Sequence, residues 1–470
     1  VAIEWTGLSP EVLVPIDRDA PETLRAQLER GFREAIRSGR LRAGERLPST
    51  RELARALGVS RGMVVDCFDQ LQAEGYLVAR AGSATRVSDT AQPAAAESKP
   101  APTSSTQMDV DFRPAIPDLG SFPRSDWART VGEVCRDAPT AALGYGDPRG
   151  ENELRRVLAS YLGRVRGAAA DTERIVVCSG FSQGLNLALD ALSGRGVDRV
   201  AFEDPGYDDT GTFAAEWAGV DLVAVPVDDQ GIRVDAMAAT GARAVVLTPA
   251  HQWPTGVVLS PERRVALANW AADTNGWIVE DDYDAEFRYD REPIGMLQGL
   301  APEHVINIGT VSKSLAPTLR IGWMLCPDDL VAPIGDLKIR ADRGSPGLEQ
   351  LALARLIESG RFDRHLRRMR KGYAAKRDVL VETLAARAPA VRLSGLAAGF
   401  HAVAELPEGV TEAGVIAAAR ERGVALYGMS ANRSTHAEDP AQLVLGFGNL
   451  TERTIRDGID RVGDLLQGPA

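Results

Sequence analysis

The chain has 470 residues, room for about two to four domains, with 44% apolar residues, 25% charged residues and a net charge of −11. This excludes a chain that is disordered throughout, and no apolar run approaches the ~18 residues of a membrane span. Four cysteines far apart, without a CxxC pair, and five scattered histidines predict neither a disulfide framework nor a zinc site.

The opening VAIEWTGLSPEV has no basic stretch followed by an apolar one, so no secretory leader is expected and the reading is a soluble cytoplasmic protein. Residues 1–90 hold 13 Arg and 13 acidic side chains and are neutral. The remaining 41 basic and 52 acidic residues carry the whole −11. Residues 36–61 alone hold seven Arg against two Glu. A small basic segment thus precedes a large acidic body, an asymmetry that points to nucleic acid.

Residues 21–38 predict a helix, with Pro21 in its first turn and Leu24, Leu28, Ala35 and Ile36 on one face. Gly39 and Gly44 bracket a turn. Ser49 or Thr50 caps a short helix with Leu53, Ala54 and Leu57 inward, and Gly58 stops it. Ser60 caps the next helix, which buries Val64, Phe68 and Leu71. YLVAR-AGSA-TRV then reads as a hairpin with Gly82 at its tip. Two short helices joined by Gly58-Val59-Ser60 form a helix-turn-helix, whose second helix would present Ser60, Arg61 and Gly62 to base edges. Ser49 and Arg51 start the preceding helix, and Arg80 and Arg86 flank the hairpin tip, where a wing touches phosphates or the minor groove. Arginine suits both tasks because its fork binds phosphate or guanine in bidentate fashion.

LPSTRELARALGVSRGMV…LQAEGYLVARAGSATRV closely resembles the winged helix of GntR-type regulators over residues 14–87. Ala84 departs from the second wing-tip glycine common there. The expectation is a DNA-binding domain over residues 1–87. Residues 88–107, SDTAQPAAAESKPAPTSSTQ, hold no aromatic or large aliphatic side chain and read as a linker.

From residue 108 the pattern alternates strands and helices. RIVVCSG, RVAFEDPGY, DLVAVPVD, ARAVVLTPA, GWIVEDDYD, HVINIGTVSK and IGWMLCP are β-rich runs bounded by turn residues. This predicts an α/β domain with a mostly parallel sheet. From about residue 390, VRLSGL, GFHAVAEL, QLVLGF and two helices predict a small α+β lobe.

Chemistry gathers at three strand ends, where open α/β sheets bind ligands. Lys313 follows HVINIG, with Arg320 seven residues on. Such a lysine can condense with an aldehyde, and such an arginine can hold a phosphate. IVEDDYD puts acids at a second strand end, and SGFSQG opens a helix whose N–H groups can bind phosphate. In this order the motifs strongly resemble fold-type I pyridoxal phosphate proteins of the aminotransferase family. The resemblance implies pyridoxal 5'-phosphate as cofactor, linked to Lys313. It implies that Asp281 pairs with the ring nitrogen, that Tyr283 bonds the ring 3-oxygen and that Tyr207 of EDPGY stacks on the ring face. Phe181, Ser182, Ser312 and Arg320 would sit at the phosphate. Tyr145 of GYGDPRG would reach the phosphate of a partner subunit, which makes the expected assembly a homodimer. The usual Asn-Pro-Thr-Gly turn is here HQWPTG, with Trp253 in the Asn position and His251 or Gln252 as substitutes for the missing amide.

A GntR-like winged helix, a linker and an aminotransferase-like body resemble the MocR subfamily of regulators. That resemblance implies a regulator bound to double-stranded DNA and controlled by pyridoxal phosphate or an amine effector. A working aminotransferase with an accessory winged helix and a body that has lost its cofactor are the alternatives. Aminotransferases acting on α-amino acids commonly hold the carboxylate with an arginine three residues before a Phe. Here that place is Val444, before Phe447. The basic position two residues after the Tyr of PGY is Asp209, which leaves Arg433 as a compensating cation. Ordinary amino acids are therefore expected to bind weakly, because a buried carboxylate without a cation is costly.

Overall fold

The computed structural model describes residues 14, 16–79, 84–89, 108–207, 209–289, 294–434 and 440–467, apart from the side chains of Asp209 and Ala285. The chain divides into two compact units, residues 1–105 and 106–470. Among the described residues no helix is long and apolar enough to cross a membrane.

The first unit holds helices Leu24–Arg37, Thr50–Leu57 and Arg61–Ala73 and a two-stranded antiparallel ribbon, Leu77–Val78 with Arg86–Val87. Each helix start is capped by a side-chain oxygen. Thr23 accepts from the Ala26 N–H, and Ser60 accepts from Met63 at 3.2 Å. Ser49 and Glu52 exchange bonds in a capping box. Gly58, at φ +63°, ends the second helix in a conformation that side chains with a Cβ resist. The core is Leu28, Phe32, Ile36, Leu53, Val64, Phe68 and Leu71. Its anchor is an edge-to-face pair, Phe32 on Phe68, with centroids 5.7 Å apart. Leu24, expected inward, is only half-buried, and Phe32 takes the central place. Ser88, expected in the linker, is buried and donates its N–H to Tyr76 at 2.9 Å, so it belongs to this unit. Linker residues 90–107 lie outside the described residues, as do Gly82 and Arg80.

The second unit is built on an eight-stranded sheet. Its order is Ile175–Cys178, Gly322–Leu325, Val305–Thr310, Trp277–Asp282, Ala244–Leu247, Arg199–Asp204, Asp221–Asp228 and Gly231–Ile232. The seven β-rich runs are all present, and Gly231–Ile232 is an edge strand the sequence pattern did not announce. The five strands from Val305–Thr310 to Asp221–Asp228 run parallel. Gly322–Leu325 runs antiparallel to both its neighbours. Central strands such as Trp277–Asp282 and Val305–Thr310 are buried at every residue, as expected when helices cover both faces. The pairing of Ile308 with Asp281 and Gly309 with Asp282 brings the acidic strand end beside the lysine-bearing one.

Strands Arg392–Ser394, His401–Glu405 and Gln442–Gly446 form an antiparallel sheet in the C-terminal lobe, with helices Glu412–Glu421 and Glu452–Val462. The long helix Arg361–Arg387 packs against Glu452–Val462. The boundary near 390 needs one correction. Val110–Asp111, at the start of the body, pairs in parallel with Val424–Ala425, and the Asp109 N–H bonds Gly423 O at 3.0 Å. The lobe therefore includes the first residues after the linker.

Candidate functional site

The strand ends converge on a cavity of about 320 Å³. Lys313, Asp281, Tyr283, Tyr207, Phe181, Ser182, Ser312 and Arg320 all line it, together with Ala115, Thr210, Trp253, Thr310 and Pro317. Tyr145 does not. It is 87% exposed, outside the cavity.

At one end, helix Phe181–Ser193 begins at Gly180, φ +96°, with no side-chain cap, so its first N–H groups stay available to an anion. A Cβ on Gly180 would lie 3.3 Å from the Arg320 guanidinium, which marks how closely that cation approaches the helix start. Ser312 Oγ lies 2.8 Å from Thr310 Oγ1. Helix N-terminus, guanidinium and the Ser182 and Ser312 hydroxyls together suit a phosphate.

At the other end Asp281 is buried, and its Oδ1 has no hydrogen-bond partner among the described residues. Burial raises its pKa to about 8, with the Asp282 charge adding and Tyr207 and Lys313 opposing. An orphaned buried carboxylate oxygen fits a ligand that brings its own N–H, as a protonated pyridine ring does. The residues present therefore fit pyridoxal phosphate. Between the two ends, Lys313 Nζ donates to Ala115 O at 2.6 Å. Burial lowers the Lys313 pKa, against the opposing charges of Asp281 and Asp284, and so favours the nucleophilic amine.

Several of these side chains also have partners inside the protein. The Tyr207 hydroxyl bonds Asp281 Oδ2, and its ring stacks on Phe181 with centroids 5.0 Å apart, so aromatic contact and the buried carboxylate hold the phenol. Tyr283 donates to His251 O at 3.0 Å and lies 3.2 Å from His251 Nδ1. Neither His251 nor Gln252 replaces the missing amide in the cavity wall. Gln252 braces its own turn, donating to Pro205 O and accepting from Thr255, and His251 sits one layer behind. His251 Nδ1 is 2.8 Å from Asp284 Oδ2. Burial opposes its charge, but the Asp284 carboxylate outweighs that and raises its pKa.

Val444 is buried with Val403 and Met429, and this cluster packs against Trp253. Arg433 Nη2 bonds Gln442 Oε1 at 2.9 Å and does not line the cavity. The Asp209 side chain lies outside the described residues.

Sequence reasoning missed Ala115, whose backbone sits at φ +63° and whose carbonyl receives Lys313. It also missed the His251–Asp284 pair, although the His of HQWPTG and the last acid of DDYD were its signals.

In the first unit Arg51, Arg61 and Gly62 are exposed at the two helix starts. Ser49 and Ser60 use their oxygens as caps and keep a hydroxyl hydrogen for a phosphate. Arg18, unforeseen, braces the turn by donating to Gly58 O at 2.7 Å. Arg86 also has a contact inside the unit: it is half-buried, and its Nη1 donates to Gly44 O at 2.9 Å, which braces the turn while its other N–H groups are left for a second partner. Arg80 lies outside the described residues.

Residues 120–462 match the family "Aminotransferase class I and II", and residues 24–87 match "Bacterial regulatory proteins, gntR family". The chain is 32% identical over 470 residues to the "Probable rhizopine catabolism regulatory protein MocR" of Rhizobium meliloti, covering 95% of this chain and 94% of that protein. It is 30% identical over 458 residues to the "HTH-type pyridoxine biosynthesis transcriptional regulator PdxR" of Corynebacterium glutamicum, covering 96% and 98%. Among solved structures, Pyrococcus horikoshii kynurenine aminotransferase is similar with a TM-score of 0.69 at 26% identity, over 77% of this chain and 91% of that one. Such neighbours imply pyridoxal 5'-phosphate as the cofactor of the body.

Proposed function

Because the chain belongs to the HTH-type transcription regulators whose body is of the aminotransferase class I and II family, we propose that it is a promoter-binding regulator whose signal is pyridoxal 5'-phosphate itself. When bound, the cofactor supplies an aldehyde that condenses with a primary amine and a ring that withdraws electrons. Lys313 is that amine in this chain. Asp281 holds the proton at the ring nitrogen, Tyr283 bonds the ring 3-oxygen, and Phe181, Ser182, Ser312 and Arg320 take the phosphate. Tyr207 leaves Asp281 and lies against the ring. A second copy contributes its own Tyr145 in a homodimer, and the winged helix binds double-stranded DNA through Ser49, Arg51, Ser60, Arg61 and Arg80.

The carrying observation is the apolar cluster of Val403, Met429 and Val444 behind Trp253, where a clamp for an amino acid's carboxylate needs a cation. The name of the Corynebacterium relative supports the same choice, and its target genes make vitamin B6 synthesis the natural regulated class here. The Rhizobium relative, named for rhizopine catabolism, favours an amine effector as the second reading.

The test measures promoter binding by apo and cofactor-loaded protein with no amine present. Loaded protein is then titrated with amino acids, amino sulfonates and dipeptides, with visible absorbance and promoter binding followed together. The reading requires apo and loaded forms to differ, because a ligand shifts an equilibrium only by its differential affinity for the two states. One compound that moves both signals below millimolar concentration, while apo and loaded forms bind DNA alike, overturns it in favour of the amine.

A further inference from the structure

The body is acidic as a whole, yet one face of its longest helix is not. Arg364, Arg367, Arg368 and Lys371 are exposed on helix Arg361–Arg387 at the i, i+3, i+4, i+7 spacing of a single helix face. They line a cleft of about 440 Å³, in which Asp126 is the only acid among the described residues. None of the four side chains makes a hydrogen bond or ion pair with a described residue. Their neighbours on the same helix are spent differently. Arg361 faces Asp126 and Glu133, Arg370 donates to Glu286 O, and Lys376 pairs with Asp118 at 2.7 Å. Four like charges left together cost repulsion, which a polyanion relieves.

We propose that this face is a second contact surface for the DNA backbone, on the body and separate from the winged helix. The proposal rests on the reading that the first unit binds promoter DNA. That unit is covalently tied to the body, so bound DNA stands at high effective concentration beside it. From residue 364 to 371 the helix rises about 10 Å, close to the axial rise of three phosphates on one strand at about 3.4 Å each. Arginine and lysine heads on flexible stems suit phosphates and carry no base preference. The buried side of the same helix packs on the loop that carries Lys313: His365 Nε2 donates to Ser314 O at 2.8 Å, one residue after Lys313.

The test uses the full chain, loaded with cofactor, with Arg364→Gln, Arg367→Gln, Arg368→Gln and Lys371→Gln combined. The control removes the same charge elsewhere through Arg243→Gln, Arg340→Gln, Arg453→Gln and Arg456→Gln. Promoter affinity is measured between 50 and 200 mM salt. The face variant should flatten the log–log salt slope by about 2–3 and lose roughly 10- to 100-fold affinity at the low-salt end, with unchanged base preference. The control should retain the wild-type slope to within about one. A charge-preserving variant with the three arginines changed to Lys should keep the slope, and cofactor absorbance checks that each variant is folded. If the fourfold variant does not load cofactor, Arg367→Gln with Lys371→Gln should give about half the slope change. An unchanged slope, or equal losses in face and control variants, overturns the proposal. So does a variant that alters transcription while promoter binding is intact, since the face then serves an acidic protein. Arg61→Ala tests the winged-helix reading independently: if it leaves specific binding intact, that reading fails whatever the face does.

Discussion

Gly322 opens the strand Gly322–Leu325 directly against the start of the phosphate-facing helix. A Cβ there would lie 2.8 Å from Gly180 Cα and 2.8 Å from Gly309 O, where ordinary contacts begin at 3.4 Å. Both neighbours are backbone, so Gly322→Ala must part them by about 0.6 Å instead of turning a side chain aside. Forced overpacking of this kind costs about 1–3 kcal/mol. The displaced atom is the first residue before Phe181, so the helix N–H groups and Arg320 shift relative to Lys313. Where that cost of about 1–3 kcal/mol falls on the bound form, it raises the cofactor's Kd by about 5- to 150-fold. The assay is a titration of apo protein with pyridoxal phosphate followed by visible absorbance, alongside thermal melts of the apo form. Gly372→Ala, where a Cβ meets nothing within 4 Å, is the control and should bind cofactor normally. A lowered Tm with an unaltered cofactor titration refutes the link drawn between this close approach and the phosphate end.

The remaining predictions concern buried charge and the DNA unit. Arg166 and Asp282 form a buried ion pair, so Arg166→Leu should cost about 3–5 kcal/mol by stranding the carboxylate, and adding Asp282→Asn should restore most of it; chemical denaturation of the four proteins measures the cycle, and a single variant costing under about 1 kcal/mol contradicts it. Burial pushes the Asp281 carboxyl up to about 8 in the fold, against ~3.9 in the unfolded chain. The folded form therefore holds a proton that the unfolded chain releases, so apo stability should fall as pH rises from about 4 to 8; Asp281→Asn should flatten that slope, and an unchanged slope rules Asp281 out as its source. Arg61→Ala should weaken specific promoter binding by about 1–3 kcal/mol with normal melting. Arg86→Ala should lower the stability of the first unit by about 1 kcal/mol through the lost bond to Gly44 O, and normal melting of that variant would exclude the brace.

Strands such as Trp277–Asp282 and Val305–Thr310 were legible because a strand covered on both faces is a near-continuous apolar run. Asp281 and Lys313 were legible because they lie at the C-terminal ends of such runs, which the register brings together, and Arg320 because it stands seven residues after Lys313, just before the next strand. Val110–Asp111 was not legible. Two residues carry no period, and their partners Val424–Ala425 lie some three hundred positions away. Ala115 was invisible for another reason: it contributes a carbonyl, and a backbone acceptor leaves no mark on residue type. The bond from Arg86 to Gly44 O was not legible because composition records charge and not the partners a side chain takes.

The parallel stitch between Val110–Asp111 and Val424–Ala425 decides which part of the body its first described residues belong to. They are tied to the C-terminal lobe, against a backbone that also anchors Asp109 through Gly423. The entry to the body is thus sewn to the lobe by main-chain hydrogen bonds, and residues 109–112 follow any movement of it with no chain of side chains to relay it.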